Sequence, residues 1–183
     1  MTTALIEHPP QSEQTEFNLR RWAEVLADPE LDKLPGRVET DRYGNTIMSP
    51  PPTPKHGNFQ AEIVLLLRDH LPHGRIVTEC PISTADGVKG ADIAWASNKL
   101  WRELAGGTCF KRAPEICIEV LSPRNTEKEI REKMALYFDA GAQEVWVCTS
   151  FGVMSFFAPR SVELPRSGLC PKFPKEIEPG PQD

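Results

Sequence analysis

Two carboxylates interrupt apolar runs of strand-like composition: Asp92 in Ala91-Asp92-Ile93-Ala94-Trp95, and Glu119 in Ile116-Cys117-Ile118-Glu119-Val120-Leu121. An ionised side chain among hydrophobic neighbours is costly to bury unless a metal ion or an opposite charge compensates it. The intervening chain, with a loop over 97–113, is long enough to let two neighbouring strands turn these carboxylates toward each other. Carboxylate oxygens are the ligands Mg²⁺ prefers, and waters with the backbone carbonyl of Val120 would complete an octahedron. Such a metal would polarise a phosphate and lower the pKa of an attacking water. The local pattern also accommodates a bland reading, in which Asp92 begins a strand as a turn residue and Glu119 pairs with a basic side chain.

Lys133 follows on a helix, three residues after apolar Ile130 and four before Tyr137, so it borders that helix's buried face. From there an ammonium could orient a nucleophilic water and offset charge on a phosphorane-like transition state. A lysine whose stem lies along the surface and whose ammonium stays in water fits the same spacing. Glu39, His56 and Glu62 form a second tier. Glu62 borders its own helix's apolar face and could support a metal through water, whereas His56, in a loop ahead of that helix, could bind phosphate or move a proton. Arg124, Lys111 and Arg112 flank the Glu119 strand on loops, where phosphate-positioning side chains often sit. Glu79 is expected as an edge or ion-pair residue, and Trp95, Trp101 and Trp146 as core or interface aromatics.

Several elements must hold these groups in place. Phe17, Trp22, Val25 and Leu26 predict a short helix ended by Asp28-Pro29. Val38 and Ile47 flank Tyr43-Gly44-Asn45, which predicts a hairpin stopped by Pro50-Pro51-Pro52. Phe59, Ile63, Leu66 and Leu67 predict a helix over 58–71. Strands are expected over 75–82, 91–96, 114–121, 144–149 and 153–158. Between them, Thr126 with Glu129 makes a capping box, and Gly141 occupies a left-handed C-terminal position, so 127–140 reads as a helix with Ile130, Met134, Tyr137 and Phe138 as its buried stripe. The strand, helix, strand order is βαβ-like and predicts an α/β or α+β sandwich.

The chain's 183 residues, 39% hydrophobic and 26% charged, suit one globular domain. Three parts are expected: an N-terminal appendage with a short helix over 1–35, a core domain over 36–158, and a proline-rich tail over 159–183 that is extended or partly disordered. No apolar run approaches bilayer-spanning length and the N-terminus lacks a signal-peptide pattern, which predicts a cytoplasmic protein with no membrane partner. Five scattered cysteines without a CxxC pair predict reduced, buried fillers. Net charge is −5, and residues 1–35 hold seven acids against three bases, so the remainder is nearly neutral. Composition therefore gives no wide basic stripe of the kind that grips nucleic acid without regard to sequence.

The run Pro114 to Pro123, then Glu132-Lys133 and Tyr137, then Ala140-Gly141-Ala142-Gln143-Glu144-Val145-Trp146, resembles the bacterial Uma2 family of restriction endonucleases, within the PD-(D/E)xK nuclease superfamily. Upstream, Pro50-Pro51-Pro52 with His56-Gly57 and the Asp92 strand extend the resemblance over about 35–158. It implies a restriction-endonuclease-like core with a mixed central sheet flanked by helices, and a Mg²⁺-dependent (or Mn²⁺-dependent) phosphodiesterase site. Asp92 and Glu119 would take the acidic metal positions, and Lys133 that of a lysine moved from the strand to the following helix. Duplex DNA is the implied substrate and a homodimer the implied assembly. The chain departs from the superfamily motif at Ala91, where proline is usual, and at Leu121, where lysine is usual. The leading expectation is a metal-dependent DNA endonuclease; the alternatives are a catalytically silent nuclease-fold module that binds DNA or a protein, and a small-molecule metal hydrolase.

Overall fold

A computed structural model describes residues 11–178 apart from 34 and 105. The polar opening of the chain through residue 10, and Pro179 and Pro181 of the tail, lie outside the described residues.

A six-stranded mixed sheet carries the site. Its strands are β3 (Gly74–Thr84), β4 (Gly87–Ser97), β5 (Ile116–Val120), β6 (Glu144–Cys148), β7 (Met154–Ala158) and β8 (Val162–Leu164), in spatial order of sequence. All neighbours run antiparallel except β5 and β6, whose parallel pairing sets Glu119 beside Val147. Parallel neighbours need a crossover, and α4 (Glu127–Asp139) supplies it. Thr126 and Glu129 close the expected capping box, and Gly141 adopts φ 107° just beyond the helix, a conformation that glycine reaches without a Cβ clash.

Two apolar clusters cover the two faces of the sheet. Met134 and Tyr137 of α4 pack over one, with Cys80, Ala94, Cys117 and Val145. Phe59, Ile63 and Leu67 of α2 (Pro54–His70) pack over the other, against Ile93, Ile118, Trp146 and Phe156. The odd and even residues of β5 thereby divide cleanly: Cys117 and Glu119 point toward α4, Ile116 and Ile118 toward α2.

The alternation slips at one rung. Val77 and Cys80, three residues apart on β3, pack into the same cluster, and so do Ala91 and Ala94 on β4, which strict period two forbids. The β3–β4 register pairs Thr78 with Ile93 and Cys80 with Ala91 but skips the rung between, where Glu79 and Asp92 lie opposite each other. Glu79 takes φ 50° there, left-handed backbone that costs a non-glycine residue on the order of 1 kcal/mol or more. This local break is what lets Asp92 leave the ladder and turn toward α2.

A separate hairpin, β1 (Arg37–Thr40) and β2 (Thr46–Ser49), docks on β4. Thr40 Oγ1 accepts from Val88 N–H, and Lys89 donates to the Thr40 carbonyl. Gly87 lies so close that a Cβ there would fall 2.3 Å from the Thr40 oxygen. The α1 helix (Gln11–Leu26) buries Trp22 and Val25, and its Asn18 amide donates to Ser83 Oγ and the Thr84 carbonyl at 2.9 Å each. Leu26, one of the apolar residues that predict this helix, is exposed.

The structure corrects three expectations. The second helix starts at Pro54 rather than residue 58, because Thr53 caps it and Pro54 occupies its first turn; His56 is therefore a buried residue of that first turn and not part of a loop. The stretch after β4 forms a short helix, α3 (Asn98–Leu104), where a loop was expected. The tail through residue 178 is ordered and part of the core: Phe173 packs on Trp146 with ring centres 4.7 Å apart, and Cys170 and Ile177 are buried beside it. Glu144 anchors it, accepting from Trp146 Nε1, the Ser167 hydroxyl and the Gly168 and Leu169 N–H groups within 2.6–2.9 Å. All five cysteines are free and buried.

Candidate active site

Asp92 is 1% exposed and Glu119 5%. The β4–β5 register that pairs Ile93 with Ile118 brings their strands side by side at the next rung. Asp92 Oδ2 accepts the Val120 N–H at 2.6 Å, so the backbone of the Glu119 strand fixes one oxygen of Asp92. Its other oxygen, Oδ1, receives Arg37 Nη1 from the hairpin and lies 3.5 Å from His56 Nε2 on α2.

Glu119 is served from the other face. Lys133 and Tyr137 stand four apart on α4 and therefore adjacent on one side of it. Tyr137 donates its hydroxyl hydrogen to Glu119 Oε1 at 2.7 Å, and Lys133 Nζ lies 3.2 Å from Oε2. The same ammonium donates to the Gly90 carbonyl at 2.8 Å and pairs with Glu39 Oε1 at 3.1 Å, while Glu39 also accepts the Gly90 N–H. Arg37 and Glu39, two apart on β1, thus deliver one residue to each half of the site.

Burial is the largest influence on Glu119 and, with the charges of Asp92 and Glu39, outweighs Lys133 and the Tyr137 hydrogen bond; its carboxyl is raised to about 8. Burial also resists ionisation of Asp92, but the hydrogen bond from His56, the Arg37 charge and the Val120 N–H together hold it below the usual carboxylate range. Burial opposes the Lys133 charge, yet Glu119, Glu39 and Asp92 more than offset it and its pKa is raised. Four carboxylates, Glu39, Glu79, Asp92 and Glu119, face two permanent cations, Arg37 and Lys133. The set is short of positive charge, and the proton that Glu119 keeps is how the protein alone makes up part of the difference.

That shortage, and donors that are all hard oxygens, fit a divalent cation such as Mg²⁺. The residues able to hold it are Asp92 and Glu119, with Glu39 next in reach through Lys133. Among the described residues no group of three or more His, Cys, Asp or Glu surrounds one point. The physical reason is visible in the bonds above: protein donors already occupy the oxygens of Asp92 and Glu119, and Glu39 is turned onto Lys133 and Gly90.

The structure therefore gathers Asp92, Glu119, Lys133, Glu39 and His56, with the Val120 N–H rather than its carbonyl on Asp92. It does not gather Glu62. The α2 stripe facing the site is His56 and Gln60, four apart, and Gln60 donates to Glu79 and to the Asp92 carbonyl, while Glu62 falls off that stripe and forms none of these bonds. Lys111 and Arg112 are exposed on the segment after α3, with Arg112 forked onto Glu103 at 2.9 Å, and Arg124 is exposed on the turn leaving β5. None of the three bonds to the site. Sequence reasoning missed Arg37, the hydroxyl role of Tyr137, and Gln60. Spacing held a signal for each: Arg37 lies two before Glu39, Tyr137 four after Lys133, and Gln60 four after His56. Glu79, expected in an ion pair, is bonded to Arg37 Nη2 at 2.6 Å.

The same fold occurs in a solved structure described as "a putative nuclease belonging to DUF820" from Anabaena variabilis ATCC 29413, with TM-score 0.60 and 22% identity, covering 74% of this chain and 80% of that one. No curated protein matches the chain. The model of the Uma2 family, described as "Putative restriction endonuclease", matches residues 23–161, a span that contains both carboxylates, Lys133, Tyr137, the hairpin and α2. With three quarters of its length matched and the site wholly inside the match, the chain belongs to the Uma2 family.

Proposed function

We propose that the protein is a metal-dependent DNA endonuclease that hydrolyses phosphodiester bonds, with Asp92 and Glu119 as the metal-binding carboxylates and Mg²⁺ or Mn²⁺ as the ion. The observation that carries this reading is the joint placement of a partly buried lysine and two buried carboxylates short of positive charge in a nuclease-family fold. The bound ion would polarise the phosphate and lower the pKa of a coordinated water. The Val120 carbonyl would supply a further oxygen to the ion.

The chain's own residues do the positioning. Tyr137 and Lys133 fix the orientation of Glu119, and Val120 N–H fixes Asp92. Lys133, steered by Glu39 and the Gly90 carbonyl, orients the attacking water and offsets charge gathering on the phosphoryl oxygens as water adds to phosphorus and the P–O ester bond breaks. His56 serves proton transfer or a phosphate contact, and Arg124, from its exposed turn, a backbone contact outside the site. A cytoplasmic homodimer acting on duplex DNA completes the proposal; no described helix is long and apolar enough to cross a membrane.

A second reading, a silent nuclease-fold module, is favoured by one observation: protein donors already hold both oxygens of Asp92 and both oxygens of Glu119. Incubating the protein with supercoiled plasmid in Mg²⁺, Mn²⁺ or chelator separates the two. The endonuclease nicks or linearises it only with metal, and Asp92→Ala, Glu119→Ala and Lys133→Ala each remove that activity. Retention of DNA on a gel with no cleavage under either metal establishes the module instead.

A further inference from the structure

We infer that Arg37 is a substrate-phosphate ligand that, in the free protein, is parked on Asp92, so that divalent cation and guanidinium exchange places on one carboxylate oxygen. This rests on the endonuclease reading and adds to it a residue from outside the main sheet.

Asp92 offers its two oxygens unequally. Oδ2 is tied to the Val120 N–H at 2.6 Å, and that donor belongs to the β5 backbone and does not move without disturbing the strand. Oδ1 is the oxygen left for a cation, and Arg37 Nη1 stands on it. Arg37 comes from the docked hairpin, and its side chain, 24% exposed, lies between the buried Asp92 and the half-exposed Glu79. Its Nη2 touches Glu79 Oε1 at 2.6 Å and His56 Nε2 at 3.1 Å.

The guanidinium is nevertheless incompletely satisfied. Arg37 Nε is buried and has no hydrogen-bond partner, one of only two such side-chain atoms among the described residues. An arginine locked permanently into a structural ion pair has every reason to use all its donors, because an unpaired buried N–H keeps its full desolvation cost. A tetrahedral phosphate presents more oxygens than a carboxylate and can take Nε and an Nη together in the planar fork that guanidinium favours. Glu79 sits on the solvent side, held by Gln60 at 2.9 Å, and its left-handed backbone is stored strain at the same rung. Arg37 therefore has one carboxylate partner toward the interior and one toward solvent, and releasing Asp92 leaves it on the side from which a DNA backbone arrives.

Competition for Oδ1 gives the test. Mn²⁺ binding is titrated by the paramagnetic resonance of free Mn²⁺, without DNA, for the wild type, Arg37→Gln, Arg37→Lys and Asp92→Asn, and retention of a short duplex is measured for the same proteins in Ca²⁺. Thermal melting monitors the fold of each. The expected result is that Arg37→Gln binds Mn²⁺ at least fivefold more tightly than wild type while holding DNA about tenfold more weakly. Arg37→Lys, which keeps the charge but not the fork, lies between on both measures and serves alone should Arg37→Gln fail to fold. Equal Mn²⁺ affinity in the wild type and the Arg37 variants, with Asp92→Asn still abolishing binding, overturns the inference and leaves the metal site standing. Unchanged DNA retention overturns the phosphate role. Equal Mn²⁺ binding by wild type and Asp92→Asn, or none by any of the four proteins, overturns the metal site itself, and the inference with it.

Discussion

Replacing Glu119 with glutamine measures how strongly the fold resists a charge at the centre of the site. Burial, seconded by Asp92 and Glu39, raises this carboxyl from 4.5 to about 8 despite Lys133 and Tyr137. Between those two values the folded protein holds a proton that the unfolded chain has released. Stability from the neutral carboxyl is therefore complete below about pH 4.5 and is lost as pH rises toward 8. At about 1.4 kcal/mol per pKa unit, the loss across this window amounts to roughly 3–5 kcal/mol. Glutamine keeps the shape and an acceptor for Tyr137 but has no proton to lose, so Glu119→Gln escapes the loss. Urea unfolding of both proteins in chelating buffer, stepped from pH 5 to pH 9, gives the comparison directly. The variant's stability relative to wild type should climb by a few kcal/mol up to about pH 8 and then level. A difference that stays flat across the range refutes the claim that Glu119 is buried against its own charge.

Further outcomes follow from the same geometry. Because a bound cation must displace the Glu119 proton, Mn²⁺ affinity in calorimetric titrations should rise with pH, by up to about tenfold per unit, until about pH 8 and level above it; a flat profile contradicts this. Lys133→Met removes the cation between Glu119 and Glu39, so cleavage should fall by about 10²-fold or more while Mn²⁺ binds at least as tightly, and a parallel loss of both would assign Lys133 to structure alone. Glu144→Ala strands the Ser167 hydroxyl, Trp146 Nε1 and two backbone N–H groups; a stability loss of roughly 3 kcal/mol or more and earlier proteolysis near Phe173 are expected, and an unaltered digestion pattern would mean the tail is held by its apolar contacts without that anchor.

Much of this architecture was legible in the residues. The α4 boundaries could be read because Thr126, Glu129 and Gly141 are local signals whose effect does not depend on the rest of the fold. The hairpin around Gly44 and the strands carrying Asp92 and Glu119 were legible for the same reason. What escaped depends on contacts between segments distant in sequence. Six prolines made the tail look unstructured, yet its order comes from Glu144 and Trp146, more than twenty residues upstream, and not from any periodicity of its own. The start of α2 was misplaced because His56-Gly57 resembles a loop until Thr53-Pro54 is read as a cap. At the site, the carboxylates announced themselves by being costly where they stand. Arg37 and Gln60 are ordinary polar residues whose role exists only because the slipped rung at Glu79 and Asp92 turns an acid toward them. Glu62 was the reverse case, a plausible position on the wrong side of its helix.

A metal-dependent site requires above all that Asp92 and Glu119 share one cation. Crystals grown with Mn²⁺ and measured at the manganese absorption edge test this without reference to activity. An anomalous peak between the two carboxylates, at roughly 2.0–2.2 Å from an oxygen of each and with Arg37 moved off Asp92, is the predicted result. Full Mn²⁺ in the mother liquor, no peak at that position, and Arg37 still bonded to Asp92 would contradict it.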